Sequence, residues 1–146
     1  MLFTKAQGKA VMDLTTAETV GTVAACTVAP SPPRIAGLRL KTRGRGHHTL
    51  EWNDVQSFGP DAVAVEEAGR IRDDKDIDPG NHAHATHDPI GKAVLTETGL
   101  NKGTVIDIEF DEQSGGIRQL LTAEEQIPGE ELLGVGSYAV IVTAPD

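Results

Sequence analysis

"GKAV" stands at Gly8-Lys9-Ala10-Val11 and again at Gly91-Lys92-Ala93-Val94. Four letters recur by chance, and they become a repeat only when the residues that follow also match in order. Here they do. Gly21-Thr22-Val23 pairs with Gly103-Thr104-Val105, and Ile35 and Leu38 pair with Ile117 and Leu120. Further on, Gly59 and "AVAV" (Ala62 to Val65) pair with Gly136 and "AVIV" (Ala139 to Val142). The spacing between partners drifts from 83 to 82 to 77 residues, the pattern of a duplication with small loop deletions. Two copies are too few for a solenoid, which needs more neighbours to bury a continuous core. The expectation is a first unit over residues 1–67, an acidic, histidine-containing linker over 68–86 and a second unit over 87–146.

Within each unit the pattern is one of strands and turns. "AVMDL" alternates, "TTAET" is turn-like, and "VGTVAACTVA" is β-branched. Prolines in "APSPP" (Ala29 to Pro33) break the ladder, since proline lacks the N–H a strand needs. "RIAGLRLK" resumes as a strand, "TRGRGHH" is a glycine-rich loop, and "TLEW" is short and extended. "NDVQSFGPD" reads as a helical turn capped by Asn53 or Asp54, before "AVAVEE" closes the unit. The second unit repeats the order. "GTVIDIEF" reads as one clean strand with Ile106, Ile108 and Phe110 on one face, and "PGEELLGVG" reads as the helical turn. Short strands at close spacing argue an all-β fold of two small barrels in tandem, each with a short helical turn before its last strand. The linker "EEAGRIRDDKDIDPGNHAHATHD" is charged and poor in large apolar residues, and should stay extended or flexible.

Charge limits the partners. The 146 residues carry a net charge of −9, unevenly spread. Residues 1–65 hold seven Lys/Arg against five Asp/Glu, residues 66–89 three against seven, and residues 90–146 three against ten. The second unit should repel nucleic acid and anionic lipid. No apolar run approaches the ~20 residues of a membrane span, so no membrane insertion is expected. "MLFTKAQGK" lacks the apolar core of a signal peptide. The single Cys26 cannot form an internal disulfide and suits a reducing cytoplasm.

The stretches "GKAVMDLTTAETVGTV", "IAGLRL" and "LEWNDVQSFGPDAVAV" resemble the PRC-barrel domain, a module of the photosynthetic reaction centre H subunit and of the C-terminus of a ribosome maturation factor. Trp52, Asp54, Gly59 and Ala62–Val65 look like the family's tryptophan-aspartate motif, glycine and final strand. The second unit departs from the pattern, with "IPGEELLGVG" in place of "LEWNDVQSFG" and no tryptophan. The resemblance implies a small β-barrel that docks a protein of unknown identity or assembles with itself, in a prokaryote. It implies no cofactor and no catalytic residue at any matched position.

Three groups of residues are candidates for chemistry. "LKTRGRGHH" presents Lys41, Arg43, Arg45, His47 and His48 on a glycine-rich hairpin. Such a tip can grip an acidic protein surface, and it holds no aromatic platform for bases; the plainer reading is a solvated loop. "NHAHATHD" gathers His82, His84 and His87, with His82 and His84 on one face of a strand. These are metal-ligand types, so a metal-responsive protein is the alternative function, although no cysteine lies near and a polar linker explains them as well. Trp52 is expected to pack, and Cys26 to be a small buried hydrophobe. No GxSxG, P-loop or HExxH motif is present, so no enzyme is expected.

Overall fold

The computed structural model describes residues 1–44 and 46–144. After a short helix α1 (Phe3–Ala6), the first half lays down β1 (Ala10–Asp13), β2 (Glu18–Pro30), β3 (Pro33–Lys41), β4 (His48–Glu51), β5 (Val55–Phe58) and β6 (Ala62–Val65). A short β7 (Arg72–Asp73) follows. These seven strands form one sheet in the order β5-β6-β1-β2-β3-β4-β7. The second half contains β8 (Ala93–Thr96), β9 (Asn101–Thr104), β10 (Asp107–Phe110), β11 (Ile117–Leu121), β12 (Gln126–Pro128), β13 (Leu132–Val135) and β14 (Ala139–Val142). Its strands make a four-stranded sheet, β13-β14-β8-β9, and a three-stranded one, β10-β11-β12. The fold is all-β and barrel-like.

The two "GKAV" stretches occupy matching places. Gly8 and Gly91 both adopt a positive φ, +90° and +89°, which only glycine takes without strain. Each then donates its N–H across to the "GTV" stretch, Gly8 to the Val23 carbonyl and Gly91 to that of Val105, both at 2.8 Å. The "AV" residues of each run parallel to the last strand of their own half. Val11 pairs with Val63 and Val94 with Val140, and all four are fully buried. At the far end Gly59 donates to Ala62 and Gly136 to Ala139.

The expected short helical turns are each a single turn of three residues. Trp52–Asp54 and Gly129–Glu131 are 3₁₀ turns, and each leads into a strand, β5 or β13, that forms a hairpin with the last strand. Asn53 and Asp54 lie inside the first turn. The residue that enters it is Glu51, which makes no side-chain cap. "GTVIDIEF" is not one strand either. It breaks at Val105-Ile106, which resets the alternation and leaves Ile106 half exposed while Ile108 and Phe110 are buried. Asp107 turns inward at the break. Its carboxylate accepts from the Thr4 N–H (3.1 Å) and hydroxyl (2.5 Å) of α1.

One hydrophobic core draws on both halves, running from Phe3, Val11 and Leu38 to Phe110, Leu120 and Val142. Its aromatic part spans the seam. Phe110 lies 6.3 Å from Phe3, 6.4 Å from Trp52 and 5.4 Å from Phe58, ring centre to ring centre. Every phenylalanine in the chain and its one tryptophan are thus gathered where the halves meet. Trp52 packs, as expected, stacking on Phe58 at 5.9 Å. Isolated bridges join Leu2 to Glu109 and Arg34 to Gly116 across the same seam.

The segment read as an extended or flexible linker is folded onto the first sheet. Several of its charges are paired, while Lys75, Asp76 and Asp78 stay exposed. Asp74 meets Arg39 at 2.6 Å and Arg72 meets Glu51 at 3.3 Å. Ile77 and Ala83 supply the apolar contact and are almost wholly buried.

Candidate functional site

The basic hairpin is built by β3 and β4. Lys41, the last residue of β3, pairs with Thr22 of β2, and the chain turns back to enter β4 at His48. Gly21 makes this close approach feasible, because a side chain there would press on the Lys41 carbonyl. Two grooves flank the strand end. One, of about 500 Å³, runs between Thr19–Thr22 and Lys41–Gly44. The other, of about 400 Å³, lies on the far side against Ala24, Arg39 and His47. Both are lined by Lys41 and Thr42.

The cations divide into two kinds. Arg39 is committed to Asp74, whose other oxygen takes the Thr49 hydroxyl at 2.5 Å. Burial raises the Asp74 carboxyl, but the Thr49 and Arg39 hydrogen bonds outweigh it and hold the group below the usual carboxylate range. Lys41 and Arg43 are exposed, and among the described residues neither forms an ion pair. His47 is exposed, and its backbone carbonyl takes the Asp74 N–H at 2.9 Å. His48 is half-buried, with its Nδ1 3.2 Å from the Thr42 hydroxyl. The structure therefore brings Lys41, Arg43 and His47 to one open edge and turns His48 inward. Arg45 lies outside the described residues.

The other histidines do structural work. No strand covers them. The chain bends through 81–84 and closes a 3₁₀ turn at Ala85–His87. His84 Nδ1 accepts the Thr86 N–H at 3.1 Å and so caps that turn. His87 reaches the Val135 carbonyl through Nδ1 (2.8 Å) and the Pro79 carbonyl through Nε2 (3.2 Å), pinning the segment to β13. The His82 ring sits 4.9 Å from that of His87. Burial first, then the charges of His87 and Arg34, hold His82 below the ordinary imidazole range. Among the described residues no three His, Cys, Asp or Glu side chains are arranged to hold a metal ion. Cys26 is fully buried, and burial, followed by Asp88 and Asp107, pushes its thiol well up.

The parallel pairing of β8 with β14, the 3₁₀ turn and the β13–β14 hairpin frame the second half. The sequence model of the PRC-barrel domain matches residues 81–142. That segment is similar to the PRC-barrel domain. PRC-barrel domains are general protein-interaction and assembly modules of a non-catalytic family. The match starts at Asn81, inside the segment read as linker, and falls on the half that lacks the tryptophan. No curated protein matches the chain. No helix is long and apolar enough to cross a membrane.

Sequence reasoning missed two features of this chain. One is the acidic counterpart of the basic groove, between Leu100–Thr104 and Thr122–Glu125, with a volume of about 490 Å³. Its signal was already present, because Gly103-Thr104 repeats Gly21-Thr22 and the "AEE" at 123–125 stands where the first half has Lys41, Thr42 and Arg43. The other is the exposed apolar pair in that groove, Leu100 and Ile106.

Proposed function

We propose that this chain is a non-enzymatic docking or assembly module of the cytoplasm, built from two copies of one PRC-barrel-like unit, over 1–67 and 87–146, joined through 68–86. Its contact face is the hairpin edge carrying Lys41, Arg43 and His47, in the basic stretch that also holds Arg45 and His48. The observation that supports this most is the state of Lys41 and Arg43. Both stand exposed on the rim of the larger groove, Lys41 also lining the second, without an ion pair among the described residues, while nearby Arg39 is consumed by Asp74. Exposed cations on a grooved rim suit an acidic protein surface, whose carboxylates can take paired hydrogen bonds from arginine. The acidic second half argues against nucleic acid, which it repels.

The test is affinity capture from the native host, with wild-type chain and a Lys41→Glu/Arg43→Glu variant side by side. The expected result is a defined partner held by wild type and lost by the variant. Identical captured sets would refute the assignment of this face.

A further inference from the structure

We propose that copies of this chain bind one another head to tail, the Lys41/Arg43 groove of one copy closing on the Glu124/Glu125 groove of the next. The inference rests on the docking reading above and names the partner as a second copy. The two grooves are built alike. Gly21-Thr22 lines one and Gly103-Thr104 the other, and the rim is the turn between β3 and β4 in the first and between β11 and β12 in the second. Their rims differ in sign. Lys41 and Arg43 edge the first, and Glu124 and Glu125 edge the second. Lys102 reaches Glu125 at 3.7 Å, while Glu124 has no ion pair among the described residues. Within one molecule no ion pair joins the two rims among the described residues.

The acidic groove also carries apolar surface that water does not favour. Leu100 is 56% exposed and Ile106 52%, and both line it. A covering surface that is positive at its edge and aliphatic or small at its floor suits both features, and the first groove is lined by Val20 and Gly21 as well as by its cations. The contact uses different patches on the two partners, so it is heterologous. It closes into a ring where the rotation allows and otherwise extends as a filament.

The test is sedimentation equilibrium of the full chain at low and high salt, with circular dichroism to establish that each variant is folded. Wild type should gain mass with concentration at low salt and return to monomer near about 1 M salt, where the screening length falls to roughly 3 Å. Lys41→Glu/Arg43→Glu and Glu124→Lys/Glu125→Lys should each weaken association by at least about tenfold, since both rims then carry one sign. Mixing the two variants should restore association, because each now supplies the charge the other lacks. The milder Lys41→Gln/Arg43→Gln variant should fall between. Wild type monomeric at roughly 100 µM in low salt would overturn the proposal. So would association untouched by the swaps, or a mixture that stays monomeric. A partner captured through Lys41 and Arg43 by a monomeric wild type would leave the docking reading standing and remove only the self-pairing.

Discussion

Replacing Phe110 with alanine tests whether the aromatic seam makes the two halves one cooperative unit. Phe110 is fully buried and touches Phe3, Trp52 and Phe58, all from the first half of the chain. Truncating a buried phenylalanine costs about 3–5 kcal/mol, through lost transfer energy and the cavity left behind. The upper part of that range applies, because three ring partners are lost together and edge-to-face pairs add to burial. A natural domain has only about 5–15 kcal/mol to lose. With a urea dependence of about 2 kcal/mol per molar, the unfolding midpoint should fall by roughly 2 M. Trp52 is the chain's only tryptophan and sits in the cluster, so its fluorescence reports the seam while far-UV circular dichroism reports all strands. The two probes should move together in wild type. Cys26, buried and hard to ionise, should react with a thiol reagent only on unfolding, and faster in Phe110→Ala. A loss under about 1 kcal/mol would refute the reasoning. So would wild-type probes that separate into two transitions, since each half would then carry its own stability.

Two further outcomes follow from the turns. A side chain at Gly129 would drive into the Ile117 carbonyl, with its β-carbon 2.8 Å from the carbonyl carbon, and backbone cannot swing aside. Gly129→Ala should therefore lose about 1–3 kcal/mol or more by overpacking. Gly134→Ala, which meets nothing within 4 Å, should melt close to wild type; equal melting of the two variants would contradict this. Asp13 closes the β1 turn, accepting N–H groups of Ala68 (2.9 Å), Thr16 (3.1 Å) and Thr15 (2.7 Å). The Ala68 bond foremost, then those of Thr16 and Thr15, hold its carboxyl below the ordinary range against burial. A carboxyl lowered in the folded state stabilises above its unfolded value of about 3.9 and loses that contribution as pH falls through the folded one. Thermal melts should thus show wild type falling on acidification below about pH 4, and Asp13→Asn lower at neutral pH with a shallower acid slope. Parallel pH profiles would rule this out.

Much of the strand order could be read from residues, because the signals are local. "GKAV" marks a left-handed glycine followed by a strand, and "AVAV" and "AVIV" alternate with Val63, Val65, Val140 and Val142 inward. The basic hairpin was likewise legible as a run of cations between two strands. What escaped was non-local. Phe3 and Phe110 meet across more than a hundred residues, and neither leaves a periodic trace. The segment around Asp74 read as extended or flexible because its charges were counted singly, while the fold pairs Asp74 with Arg39 and Arg72 with Glu51. The histidines looked like ligands by spacing, yet His84 caps its own turn through Nδ1 and His87 spends both nitrogens on carbonyls, that of Val135 brought near only by the folded chain.

Trp52 opens one 3₁₀ turn and Gly129 opens the other. The indole reaches across to the aromatic seam, whereas the glycine lets its turn lie backbone against backbone on Ile117. Two identical barrels brought together about an axis could not do this, because every residue at the join would have to serve both sides. A single polypeptide escapes that constraint. It can make one turn bulky and the other thin, one groove rim cationic and the other anionic, and so give the molecule a direction.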